Sequence, residues 1–111
     1  MIILNRLELK APYYAVLFSY KRSENLEGYP EMDKKTIDLV QDMPGYLGHE
    51  VTGDATEHAI FISYWKDMES IENWRKDKTH QQAKFKGKTQ WYQWYHSQIC
   101  KVEHSSFNSL D

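Results

Sequence analysis

"AIFISYW", Ala59 to Trp65, decides the fold because both of its alternate sets are mostly apolar: Ala59, Phe61, Ser63 and Trp65 on one side, Ile60, Ile62 and Tyr64 on the other. A strand sends successive side chains to opposite faces, so this one needs cover on both. "AVLFSY", Ala15 to Tyr20, repeats the pattern, with Ala15, Leu17 and Ser19 against Val16, Phe18 and Tyr20. Both strands therefore need cover on two faces.

Their surroundings supply the remaining elements. "YYAVLFSY", Tyr13 to Tyr20, follows Pro12 and reads as the first strand. From Pro30 to Met43 the residues Met32, Ile37, Leu39, Val40 and Met43 fall at roughly helical spacing, with Glu31 and Asp33 in the first turn, where the helix dipole favours acids. Pro44-Gly45 suits the two central positions of a type II turn and ends that helix. "YLGHEVT" and "AIFISYW", joined by the turn-rich "GDATEH", form a hairpin. Asp67 caps a second helix in which Met68, Ile71 and Trp74 share a face. After a break at 77–79, "HQQAKFKGK" adds a helical turn or two ending at Gly87. "WYQWYHSQICKVEH" is a long final strand, and "SSFNSLD" a frayed tail.

The order is strand, helix, strand, strand, helix, strand, the ferredoxin-like βαββαβ arrangement of an α+β protein, with helices on one face of an antiparallel sheet. Two helices cover one face only. The other is expected to pack against the sheet of a second copy, giving a homodimer.

Composition narrows the function. A chain of 111 residues is one domain, with an ordered core over about 12–104. Aromatics make up 14%, and four Trp with eight Tyr are a heavy load for this length. A net charge of −2 argues against nucleic acid, which demands a basic surplus. Cys100 is the only cysteine, so no internal disulfide forms and a reducing, cytoplasmic setting is expected. "MIILNRLELKAPYY" carries Arg6, Glu8 and Lys10 and reads neither as a signal peptide nor as a membrane anchor.

"GY" at Gly28-Tyr29 with Met32, "PGYLGHE" at 44–50, "SYW" at 63–65, Ile71 with Trp74, His80, "GKTQWYQWY" at 87–95 and "KVE" at 101–103 together resemble the antibiotic biosynthesis monooxygenase-like family of dimeric α+β barrels. The resemblance runs from Tyr13 to Glu103 and implies a ferredoxin-like protomer whose sheet pairs with its twin. It also implies a choice of chemistries: cofactor-free oxidation of polycyclic phenols by dioxygen, haem cleavage, or binding of a small hydrophobic ligand without catalysis, as in a stress protein. Cofactor-free oxidation needs a flat apolar slot, a base that favours the substrate anion, and exclusion of water.

Trp65, Trp74, Phe61 and Tyr64 are the candidate walls of that slot, with Tyr92 and Trp94 of the final strand in reserve. Large aromatics more often fill cores. His80 is the candidate base, against the plainer reading of a surface helix cap. The haem-cleaving branch is disfavoured: by resemblance Trp74 fits its Trp, but it also needs an Asn on the first strand, absent from "YYAVLFSY", and a His near Lys84, absent from "QQAKFKGK". No metal is expected. His96, Cys100 and His104 are spaced by four, but on a strand that spacing separates them by about 13 Å. The basic run "RKDKTHQQAKFKGK" reads as a solvated helix face, and Cys100 as a buried structural thiol.

Overall fold

The computed structural model describes residues 2–110. Its strands are β1 (Ile2–Leu4), β2 (Tyr13–Arg22), β3 (Tyr46–Asp54), β4 (His58–Trp65) and β5 (Tyr92–Val102), in one antiparallel sheet of order β1-β3-β4-β2-β5. Helix α1 (Tyr29–Val40) joins β2 to β3, and α2 (Met68–Arg75) with α3 (Lys78–Lys86) joins β4 to β5. From β2 onward this is the expected ferredoxin-like α+β fold, with β2 and β4 central. The short β1 is an addition outside the expected core of about 12–104: it pairs with the outer edge of β3.

Local chemistry explains the boundaries. Gly28, at φ 78°, turns the chain into α1, and Pro30 fits its first turn. Tyr46 N–H donates to the Met43 carbonyl at 3.2 Å, closing a turn with Pro44 and Gly45 at its centre. Gly45 has φ 82°, the left-handed value that the third position of a type II turn requires. Asp67 caps α2, accepting from Ser70 N–H at 2.8 Å and from Ser70 Oγ at 2.7 Å. Asp77 caps α3 through His80 N–H at 2.9 Å. Each cap satisfies an orphan N–H and contributes about 1 kcal/mol.

Three expectations are revised. The first helix ends at Val40 rather than Met43. Gly87 does not stop the third helix: its φ is −58°, and the chain continues in a wider π-type turn over Gly87–Trp91. Glycine is needed there for space, since a Cβ would lie 2.6 Å from the Tyr92 ring. The tail beyond β5 has no regular structure, yet Tyr13 OH donates to Ser105 Oγ at 3.0 Å.

All three helices lie on one face. The core between them and the sheet is Val40, Trp65, Ile71 and Trp74, with Tyr14, Val16, Met43 and Tyr46 packed against it. Trp65 is 1% exposed, and its indole N–H is satisfied by Ser63 Oγ at 2.9 Å. Leu17, Ser19, Ile60, Ile62 and Tyr64 occupy the opposite face, which α1, α2 and α3 leave uncovered. Among the described residues no helix is long and apolar enough to cross a membrane.

Candidate functional site

A cavity of about 650 Å³ opens between helices and sheet. The sheet supplies Phe18 and Tyr20 from β2, Phe61, Ser63 and Trp65 from β4, and Tyr95 and Ile99 from β5. These side chains share the helix-facing side because the register sets Phe18 between Phe61 and Ser97. Helix α1 contributes Tyr29, Asp33 and Ile37, one stripe at a spacing of four. Ile71, Trp74 and Arg75 come from α2; His80, Ala83 and Lys84 from α3; Lys88 from the π turn. Tyr95 and Ile99 are 44% and 41% exposed, so the cavity faces solvent on the β5 side.

His80 is held in the wall by two contacts with Trp74. Its ring stacks on the Trp74 indole at 4.4 Å between centroids and 13° between planes. Its Nδ1 lies 3.1 Å from the Trp74 carbonyl oxygen. A carbonyl only accepts, so Nδ1 carries the proton and Nε2 keeps the lone pair. Burial pushes the His80 pKa below the ordinary imidazole value, and the nearby Lys84 adds to this, while the bond to Trp74 and the charge of Asp77 oppose it. The imidazole is therefore neutral at pH 7, with one basic nitrogen.

A tyrosine cluster forms another part of the wall. Arg22 Nη2 donates to Tyr29 OH at 3.1 Å, and the guanidinium sits 4.6 Å from the centre of the Tyr29 ring. Burial pushes the pKa of Tyr20 and of Tyr92 upward, so both keep their protons and present O–H donors. Desolvation also raises the Asp33 carboxyl, with Arg22 pulling the other way.

Of the residues singled out from sequence, Trp65, Trp74, Phe61, His80 and Tyr92 come together around this cavity. Tyr64 and Trp94 do not. Tyr64 lies between Ser63 and Trp65 and so faces the other side of the sheet, where its hydroxyl donates to Glu50 Oε2 at 2.6 Å and its pKa is pushed up to about 12. Trp94 pairs opposite Lys21 and packs its ring against His58, tilted by 53° at 5.3 Å between centroids, and is 41% exposed. Tyr92 reaches the cavity side because the register shifts at Lys21/Arg22, which turns Tyr92 to the same face as Tyr95.

Sequence reasoning passed over Tyr29, Asp33, Lys84 and Lys88 as cavity residues, and gave His49, within "PGYLGHE", no role of its own. His49 is 0% exposed, hydrogen-bonded through Nδ1 to the Tyr46 hydroxyl and stacked 5.1 Å from Phe61, behind the cavity wall. Burial lowers its pKa, so it too is neutral. Cys100, expected to be buried, is exposed on the helix-free face. Among the described residues no group of three His, Cys, Asp or Glu side chains gathers as a metal site would require.

Known proteins agree with this architecture. The pattern of the antibiotic biosynthesis monooxygenase family matches residues 12–85. A Bacillus subtilis protein known as uncharacterized protein YqjZ is 44% identical over 92 residues, covering 83% of this chain and 81% of that one. Among solved structures, SnoaB, a cofactor-independent oxygenase from Streptomyces nogalater, superposes with a TM-score of 0.70 at 8% identity, covering 86% of this chain and 97% of SnoaB. Protein SO0527 from Shewanella oneidensis superposes with a TM-score of 0.69 at 10% identity, covering 92% of this chain and 97% of its own. The chain belongs to the antibiotic biosynthesis monooxygenase family.

Proposed function

We propose that the cavity is the active site of a cofactor-independent monooxygenase that oxidises a polycyclic phenol or quinol-type molecule with dioxygen. The observation that carries this reading is His80: a neutral imidazole, its proton held on Nδ1 by the Trp74 carbonyl, lining an aromatic-walled cavity beside Trp65 and Phe61. Nε2 takes a proton from a ring methylene of the substrate in its keto tautomer, the anthrone form of an anthrol. The resulting anion gives one electron to dioxygen, and the radical pair combines into a carbon-bound peroxide. A second C–H proton and the proton returned from His80 leave with one oxygen as water, and the other oxygen stays as a carbonyl. Each methylene thus becomes C=O at the expense of one dioxygen, and no external reductant enters. SnoaB, of like fold, is cofactor-independent, which accords with this scheme.

The chain is proposed to act as one domain over residues 1–111, in the cytoplasm, and as a homodimer. The helix-free sheet face, with Leu17, Ile60 and Ile62 only half-buried, is the surface for the second copy.

The test is oxygen uptake over a panel of hydroxyanthrones with wild type and His80→Ala. Loss of a general base lowers turnover by about 10²–10⁴-fold. Unchanged uptake in the variant refutes the role of His80. Tight ring binding with no uptake by either protein identifies a ligand carrier instead. A sharp Soret shift on haem titration, followed by loss of the band with reductant, identifies a haem-handling protein.

A further inference from the structure

The stripe of α3 that faces the cavity is not apolar. His80, Ala83 and Lys84 follow at spacings of three and four, and Lys88 comes one turn later. That spacing places all four on one side of the helix and its π extension. The basic run therefore does more than solvate an outer surface: Arg75, Lys84 and Lys88 border the cavity, whereas Lys76, Lys78 and Lys86 do not. Arg75 is engaged by Glu72 at 2.9 Å. Lys84 and Lys88 make no ion pair among the described residues. Both are exposed, so each ammonium can stay hydrated while its stem lies along the wall.

Arg75, Lys84 and Lys88 against the single carboxylate of Asp33 give the cavity lining a surplus of positive charge, in a chain of net charge −2. We infer that the ligand of this cavity is an anionic polycyclic aromatic, with a ring carboxylate held at the rim by Lys84 and Lys88. This rests on the reading of the cavity as an aromatic-ligand site and adds a specificity to it. The rings lie among Trp65, Trp74 and Phe61, while the carboxylate points toward solvent at the α3 wall. A neutral ring system fills the same slot without using either lysine. The lysines act on binding and orientation; they take no part in the electron transfer.

The experiment uses quenching of intrinsic tryptophan fluorescence by two dyes of one ring system: chrysazin, a dihydroxyanthraquinone, and rhein, the same ring bearing one carboxylate. For wild type at low salt, rhein is expected to bind roughly tenfold tighter than chrysazin, as two partly solvated charge contacts allow. The advantage should shrink at high salt and vanish in Lys84→Gln/Lys88→Gln, while chrysazin affinity stays the same. Lys78→Gln, on the same helix but away from the cavity, should keep it. Equal binding of the two dyes by wild type overturns the inference and leaves the aromatic slot standing. A rhein advantage that survives in the double variant also overturns it, since the selectivity then arises elsewhere. If neither dye quenches, the aromatic slot itself falls, and this inference with it.

Discussion

Trp74→Ala is the perturbation that bears most directly on both the core and the base. The indole is 8% exposed and packs with Val40, Trp65 and Ile71 on one side, and with His80 on another. Removing a buried Trp or Phe ring from a core costs about 3–5 kcal/mol. Part of the ring already faces the cavity, where no atoms pack against it, so the low end applies, about 3 kcal/mol. In a domain of this size that corresponds to a Tm drop of roughly 12–24 °C. Urea unfolding followed by circular dichroism gives the free energy, with Trp74→Phe as the control that retains a ring against His80. The same variant unroofs the imidazole, so NMR titration should find the His80 pKa rising toward its ordinary value of about 6.5. A loss of less than about 1 kcal/mol would show that Trp74 is not a core residue. An unchanged His80 titration would show that the indole is not what desolvates it.

Stability should fall on mild acidification. The pKa values of His49 and His80 are lowered in the folded chain, so their contribution is complete above about pH 6.5 and is lost as pH drops below it, where the unfolded chain takes up protons the folded one resists. Urea midpoints across that range measure it, and a midpoint that rose on acidification would contradict both assignments. Gly45→Ala should cost more than Gly28→Ala by calorimetry. Both glycines have positive φ, about 1–2 kcal/mol of strain for an alanine, but a Cβ at Gly45 would also meet Ser70 Oγ at 1.9 Å, whereas at Gly28 its nearest neighbour is the Trp91 ring at 4.0 Å. Equal losses would show that the α2 terminus yields freely. Ile62→Lys, on the helix-free face, should convert a dimer to a monomer in light scattering without unfolding it. An unchanged mass would place the second copy elsewhere.

The central strands were legible because Ala59 to Trp65 and Ala15 to Tyr20 carry their two faces openly in the alternation of side chains. That alternation already separated Tyr64 from Trp65, and grouping the two as walls of one slot overlooked it. Tyr92 is a different case: a register shift between β2 and β5 turns it to the cavity face, and nothing in the local sequence marks such a shift. Gly87 looked like a helix stop because glycine usually serves that end, whereas here the constraint is the Tyr92 ring packed against it. Three apolar residues were too few to show β1, which exists only through its pairing with β3. Lys84 and Lys88 were visible as charges, but their direction depends on which side of α3 meets the sheet, a tertiary fact.

The two rims of the sheet are left in different states. On one side, β1 occupies the outer backbone groups of β3, and Arg6 fastens the segment by its ion pair to Glu50 at 2.6 Å. On the other, β5 pairs with β2 alone among the described residues, leaving the outer amides and carbonyls of an eleven-residue strand without a strand partner there. An unmatched strand rim is a template for further strand addition. A change that displaced β1 would create a second such template at an end of the sheet that is now paired. Fusion tags and immobilisation handles therefore belong after residue 106, beyond the Tyr13–Ser105 tie, where they leave the stacking of strands to stop where it does now.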